Sequence, residues 1–149
     1  MHDRTPPRRL TVLVADDEDD ALARMVSMIR RADPGAHIIQ ARDGYDALRQ
    51  AEIADSRGQP VDLAVLDYVM PHFLGPEVAR ILTTRGITCH VVTSSPLTEQ
   101  AKSETTSKDA LATAIPTWVS SASGAVPAAP RSAEVVEAWW PLPGRAHHA

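Results

Sequence analysis

The sequence has little of several features that would point to particular classes of protein. It contains one cysteine, Cys89, which excludes an internal disulfide and fits a reducing compartment. No apolar run approaches the roughly 20 residues that a membrane-spanning helix needs. The polar N-terminus also lacks the apolar region of a signal peptide. We therefore expect a cytoplasmic protein with no membrane contact.

Basic residues are fewer than acidic ones, and aromatic residues are scarce. Aspartate and glutamate number 19 against 15 lysine and arginine residues, which gives a net charge of −4. Nucleic-acid binding calls for a basic surface, so we expect no direct nucleic-acid partner. Aromatic residues make up 4% of the chain and apolar residues 44%, so the core must be mainly aliphatic.

Apolar runs typical of buried strands alternate with amphipathic helical patterns up to residue 93. The predicted strands cover residues 10–15, 37–41, 61–66 and 88–93, and the predicted helices cover 19–31, a segment from about 44, and 76–85. This alternation indicates a doubly wound α/β fold, in which helices cover both faces of a parallel sheet.

The pattern is weaker beyond residue 93. It predicts a short helix over 97–102 and another over 109–120, which Pro116 would kink. The segment after this second helix is rich in alanine and proline and has low complexity. We therefore predict one domain over 8–122, and a linker with a short C-terminal helix or tail over 123–149.

Three carboxylates follow the predicted strands. Asp16 and Asp17 come directly after the first strand, and Asp67 comes after the third. Functional groups of open parallel sheets gather at the carboxyl ends of the strands, so these side chains should converge. Mg²⁺ would relieve their repulsion and could bridge a phosphoryl group to an aspartate nucleophile. Thr93, at the end of the fourth strand, could donate its hydroxyl to the same group.

Simpler explanations exist for each of these residues taken alone. An acidic run after a strand also suits the first turn of a helix, and a single aspartate also suits a turn. The combination of Asp16, Asp17, Asp67 and Thr93 at three strand ends favours a phosphoacceptor site.

Four segments resemble the receiver domain of bacterial response regulators: VLVADDEDDA at 12–21, ARDGYDAL at 41–48, DLAVLDYVMPHFLGPEVA at 62–79 and VVTSS at 91–95. The Asp-x-x-Met-Pro spacing from Asp67, with Gly75 eight residues after it, is the most specific part. The resemblance implies the flavodoxin-like receiver fold, with a five-stranded parallel sheet in the order 2-1-3-4-5.

The same resemblance implies roles for individual residues. Asp67 would be phosphorylated by a sensor histidine kinase or a phosphotransfer protein, and Thr93 would be the switch hydroxyl. Asp17 would bind Mg²⁺ directly and Asp16 mainly through water, while the backbone carbonyl of Val69 would supply a further ligand beside Asp67.

The resemblance is weaker at the lysine that closes the fifth strand in this family. At the usual spacing stands Ile115, followed by Pro116, and a second alignment takes Lys108. Lys108 is favoured, and it implies a shortened or irregular segment between the fourth and fifth strands. The position of the usual aromatic falls on Thr106 or Ala112. We therefore expect an atypical C-terminal third.

The leading hypothesis is a single-domain response regulator that signals by contact with a downstream protein, and a homodimer is possible. It would catalyse its own phosphotransfer and dephosphorylate slowly. The resemblance implies that the positions of Val69 and Ser95 flank the path of the hydrolytic water, and valine cannot orient water. "Enzyme" would apply only loosely. The alternatives are a pseudo-receiver that binds or dimerises without phosphate, and a Mg²⁺-dependent phosphohydrolase.

Overall fold

Five short parallel strands form the centre of the computed structural model, which describes residues 9–94 and 105–123. The elements in chain order are β1 (Thr11–Ala15), α1 (Asp19–Ala32), β2 (His37–Ala41), α2 (Gly44–Ser56), β3 (Leu63–Asp67), α3 (Gly75–Thr83), β4 (Thr88–Thr93), β5 (Thr105–Ser107), a 3₁₀ turn (Lys108–Ala110) and α4 (Leu111–Ser123). The strand order β2-β1-β3-β4-β5 and the parallel pairing confirm the predicted fold class.

Two aliphatic cores cover the two faces of the sheet, because successive side chains of a strand point to opposite faces. One core joins alternate residues of β1 and β3 to α2 and α3; its members include Leu13, Leu66, Ala51, Val78 and Leu82. The other joins the intervening residues to α1 and α4; its members include Val12, Val65, Met25, Ile29, Leu111 and Ile115.

The third strand begins and ends later than the apolar pattern predicts. It covers Leu63–Asp67, so Asp67 is its last residue. Asp62 stands outside it and is tied to the first residue of β1: the Thr11 N–H donates to Asp62 Oδ2 (2.8 Å), and the Asp62 N–H donates to the Thr11 carbonyl (2.9 Å). Asp62, the one polar residue of the apolar run over 61–66, therefore fixes the position of the first residue of β1.

The C-terminal part of the described chain supplies a short edge strand and a helix. Residues Thr105, Thr106 and Ser107 of β5 pair with Val91, Val92 and Thr93. The predicted helix over 109–120 is present as α4, which continues through Pro116. Pro116 has no N–H to donate to the carbonyl four residues earlier, at Ala112, but both residues are exposed, so water can serve that carbonyl.

Several predictions concern residues outside the described ranges. The short helix over 97–102 and the tail from residue 124 onwards lie there, so the division into 8–122 and 123–149 stays a prediction. Within 9–94 and 105–123, no helix combines the length and the apolar character needed to cross a membrane.

Candidate functional site

The carboxyl ends of β1 and β3 bring three aspartates together. Because the two strands are parallel neighbours, Asp16, directly after β1, lies beside Asp67 at the end of β3. Carboxylate oxygens of Asp16, Asp17 and Asp67 all lie within 4.8 Å of one another. Asp16 is fully buried and Asp67 is 8% exposed, whereas Asp17 faces solvent. The cluster is therefore open on the side of Asp17.

Hydrogen bonds hold Asp16 at the junction between β1 and α1. Its N–H donates to the carbonyl of Ala41 at the end of β2 (3.1 Å), and its Oδ1 accepts from the Glu18 N–H (2.9 Å). The chain then turns into α1 with Asp19 and Asp20 in its first turn, where the helix dipole favours negative charge.

Lys108 lies against two of the three carboxylates. Its Nζ is 2.7 Å from Asp16 Oδ2 and 3.1 Å from Asp67 Oδ1. It reaches this place because it directly follows β5, which pairs with the end of β4. Ile115, the other candidate for the lysine position, is a residue of α4 and its side chain is buried in the core. The geometry therefore puts an amine at the site through Lys108.

The site carries more negative than positive charge, with three carboxylates against one ammonium group. Burial, the neighbouring Asp16 and, to a smaller extent, Asp17 raise the pKa of Asp67. Lys108 lowers this pKa and so cancels part of the rise. Burial disfavours the charged form of Lys108, but its hydrogen bonds to Asp16 and Asp67 outweigh this and raise its pKa. A further cation would relieve the remaining repulsion, and oxygen ligands of this kind suit Mg²⁺.

The loop between β3 and α3 folds back onto Asp67, and Gly75 makes this possible. The Gly75 N–H donates to the Tyr68 carbonyl (2.7 Å). A Cβ on residue 75 would lie 2.3 Å from the Asp67 carbonyl oxygen, a distance that no side chain can tolerate. The family spacing from Asp67 to Gly75 therefore has a steric cause. The Val69 side chain on this loop is 60% exposed.

Thr93 lies at the same edge of the sheet as Asp67. Val92 is opposite Asp67 in the pairing of β3 with β4, and Thr93 follows it, opposite Ser107 of β5. Thr93 is 5% exposed. Thr106 belongs to β5, and Ala112 is an exposed residue of α4, so neither alignment places an aromatic side chain at this edge.

Two side-chain contacts, one near this edge and one in the middle of β4, were not predicted. Arg42 makes an ion pair with Asp19 across the ends of β2 and β1, and the residues are too far apart in sequence to give a local signal. The ring of His90 in β4 stacks on the ring of Trp118 in α4, with ring centroids 4.0 Å apart. The alternation of β4 could have placed His90 on the face that α4 covers, but not opposite one particular helix residue.

Comparison with known proteins agrees with this architecture. Residues 12–115 match the family model of the response regulator receiver domain. The match includes β5 and the start of α4, so it gives no support to the expectation of an atypical C-terminal third. No curated protein matches the chain.

Solved structures show the same fold at low sequence identity. A two-component response regulator from Cytophaga hutchinsonii is 21% identical, with a TM-score of 0.65 over 77% of this chain and 98% of that one. A response regulator receiver domain protein from Clostridium thermocellum is 20% identical, with a TM-score of 0.61 over 76% and 93%. One chain in the structure of the CheX–CheY–BeF₃–Mg²⁺ complex from Borrelia burgdorferi is 19% identical, with a TM-score of 0.53 over 62% of this chain and 68% of that one.

Proposed function

The chain belongs to the response regulator receiver domain family, and from this premise we propose that Asp67 accepts a phosphoryl group from a sensor histidine kinase or a phosphotransfer protein. One observation carries the proposal. Three carboxylates, including that of Asp67, have oxygens within 4.8 Å of one another, and the Lys108 ammonium is 3.1 Å from Asp67. This combination suits a carboxylate nucleophile for phosphoryl transfer.

The proposed reaction exchanges one bond to phosphorus for another. A carboxylate oxygen of Asp67 attacks the phosphorus, an O–P bond forms, and the N–P bond of the phosphohistidine breaks. The imidazole nitrogen of the donor leaves with the electron pair. Lys108 balances negative charge on one side of Asp67, and the Thr93 hydroxyl is the proposed donor to a phosphoryl oxygen.

The residues also suit Mg²⁺ as the cofactor. Asp17 and Asp67 are the proposed direct carboxylate ligands, with the backbone carbonyl of Val69 as a further ligand. Asp16 already accepts from the Glu18 N–H at one oxygen and from Lys108 at the other, which favours a role through water. When bound, Mg²⁺ would offset the charge that builds up on the transferred phosphoryl group.

The two alternatives are less well supported. The pseudo-receiver hypothesis rests on doubt about the lysine and on the missing aromatic residue. The aromatic is still missing at Thr106 and Ala112, but Lys108 contacts both Asp16 and Asp67. A phosphohydrolase of the aspartyl-phosphate type would use a nucleophile after the first strand. Of the two aspartates there, the fully buried Asp16 has both oxygens engaged, which does not suit attack on a substrate. The exposed Asp17 is a member of the cluster that we propose as a direct Mg²⁺ ligand.

Signalling would then proceed by protein contact in the cytoplasm. The proposed partners are the phosphodonor and a downstream protein, with a homodimer possible and no direct nucleic-acid contact. The net charge of −4 is consistent with this proposal. In the Borrelia burgdorferi structure, CheY is in a complex with the protein CheX, and this chain resembles it in fold.

Slow loss of the phosphoryl group is part of the proposal. The exposed Val69 side chain offers no hydrogen bond to an attacking water, whereas Ser95 lies outside the described residues. We expect the acyl phosphate to persist well beyond seconds once the donor is removed, as followed by intact mass. Val69→Asn, which supplies an amide, should shorten its lifetime. A wild-type half-life of seconds would contradict this expectation.

Mass spectrometry with a small phosphodonor tests the central proposal. With Mg²⁺ and acetyl phosphate, the wild-type chain should gain one phosphoryl group, and Asp67→Asn should gain none. Asp55→Asn, at an exposed position of α2, is the matched control and should be labelled like wild type. No labelling of wild type, or undiminished labelling of Asp67→Asn, would falsify the proposal.

A further inference from the structure

Strand β4 connects the phosphoacceptor edge with the C-terminal helix. Thr93 lies at the end of the strand beside Asp67, and His90 precedes it by three residues. Val92 belongs to the core that contains Leu111 and Ile115 of α4. Because strand side chains alternate between faces, His90 points to the same face as Val92 and so towards α4.

A stacked ring pair bridges β4 and α4 on this face. The rings of His90 and Trp118 have centroids 4.0 Å apart and planes only 6° from parallel. Both side chains are half-buried, and burial lowers the pKa of His90 to about 4, so the imidazole is neutral near pH 7. Strand β5 joins the same edge with Thr105, Thr106 and Ser107, none of which carries a ring.

We propose that the His90–Trp118 stack transmits the state of the phosphoacceptor site from β4 to helix α4. The inference rests on the proposed function. A phosphoryl group on Asp67 would attract the Thr93 hydroxyl and draw the end of β4 towards it. His90 is on the same hydrogen-bonded strand and moves with it. The two rings are in close parallel contact, so a displacement of His90 changes the best-packed position of Trp118 and shifts α4 with it.

Amide NMR spectra of the full chain test this coupling. The protein is compared in Mg²⁺ alone and in Mg²⁺ with beryllofluoride, which takes the place of the phosphoryl group. In wild type, resonances should shift near Asp67 and Thr93, and also along α4 and at the Trp118 indole. Trp118→Phe identifies that indole signal among those of the three tryptophans.

Variants of His90 and Trp118 test whether the stack carries the change to α4 without altering the phosphoacceptor site itself. In His90→Ala, the shifts near Asp67 should remain while those along α4 are lost. His90→Phe keeps a flat ring and should restore them. Trp118→Leu removes the ring from the other side and should act like His90→Ala. His37→Ala, at a half-buried histidine of the opposite edge strand, is the control and should change neither set of shifts.

The outcomes distinguish two kinds of failure. The proposed role of the stack would be overturned if the α4 shifts were unchanged in His90→Ala, or if α4 did not shift in a wild type whose site responds. Either result would leave the phosphoacceptor proposal standing. No response near Asp67 in wild type would overturn both. If His90→Ala does not give the dispersed spectrum of a folded protein, His90→Leu, with a larger apolar side chain, provides the same comparison.

Discussion

Lys108 carries the positive charge that compensates two carboxylates with little access to water. Asp16 is fully buried, and its Oδ2 lies 2.7 Å from the ammonium group. Lys108→Met would leave this carboxylate without a cation, which should lower the free energy of unfolding by roughly 1–3 kcal/mol. Urea unfolding measures the loss, and added Mg²⁺ should recover part of it because the ion supplies the missing charge.

The matched control for this prediction is Arg24→Met, which removes a positive charge from an exposed position of α1. It should change stability by less than about 0.5 kcal/mol, with no special response to Mg²⁺. Equal losses in the two variants would mean that Lys108 acts only through the net charge of the protein.

The raised pKa of Asp67 predicts a pH dependence of stability in metal-free buffer. Above the ordinary value of 3.8, folded Asp67 holds a proton that the unfolded chain has released. The folded state then binds more protons, so this residue makes stability fall as pH rises through the folded pKa. Asp67→Asn has no carboxylate at this position and so escapes this loss of stability. Its stability relative to wild type should therefore increase as pH rises from the ordinary pKa of 3.8 to the raised pKa of folded Asp67, and then level off.

Urea unfolding of both proteins in a chelating buffer, from about pH 4 to about pH 8, measures this difference. Other carboxylates titrate in the same range, but they do so in both proteins and largely cancel. Asp55→Asn provides a reference at an exposed carboxylate. A stability difference between Asp67→Asn and wild type that does not change with pH would show that the burial of Asp67 has no energetic effect.

At the scale of elements, the sequence predicted those that have a strong hydrophobic period. The four strands up to Thr93 and the helices between them are confirmed, with ends displaced by one or two residues in most cases. Strand β5 has three residues and no apolar pattern. It becomes a strand only by pairing with β4, a tertiary interaction that local pattern does not encode.

The contrast between elements with a strong local pattern and a strand that forms only by pairing also explains how much of the site was predictable. Asp16, Asp17, Asp67 and Thr93 follow strong strands, so their gathering at one edge follows from topology. Lys108 depends on where β5 begins, and that depends on the length of the connection after β4. Spacing alone therefore left Lys108 and Ile115 as alternatives, and only the pairing of β5 separates them.

The start of helix α3 depends on the absence of a side chain at Gly75. A methyl group there would meet the Asp67 carbonyl, so Gly75→Ala must push the β3–α3 loop away from the site. We expect a loss of about 1–3 kcal/mol in unfolding free energy, together with weaker Mg²⁺ binding because the loop carries Val69. Thermal unfolding and a Mg²⁺ titration measure the two effects.

Gly35→Ala is the control for this substitution. A Cβ at Gly35 would have the Asp33 carboxylate at 3.6 Å, an ordinary contact, so stability and Mg²⁺ affinity should stay near the wild-type values. If Gly75→Ala behaved in the same way, the close approach of the loop to Asp67 would not be needed for the site.

For the whole molecule, the site lies where two neighbouring interior strands end. β3 is the central strand of the sheet and β1 is next to it, and each contributes side chains to both cores. Their carboxyl ends meet where carboxylates outnumber the single ammonium group. The fold therefore tolerates local repulsion at this edge, because the aliphatic cores stabilise the same two strands along their length.

This arrangement predicts that Mg²⁺ stabilises the whole domain and not just the edge. An ion held by both Asp17 and Asp67 binds only the folded chain, so at one hundred times its dissociation constant it should add about 2.7 kcal/mol to the unfolding free energy. In urea, the midpoint should rise while the slope of the transition stays constant, since the surface exposed on unfolding is unchanged.

Asp17→Asn, at the exposed member of the cluster, should lose most of this gain in stability without loss of the fold. An equal gain in Asp17→Asn would place the ion elsewhere, and no gain in wild type would remove the physical basis for metal-assisted transfer at Asp67.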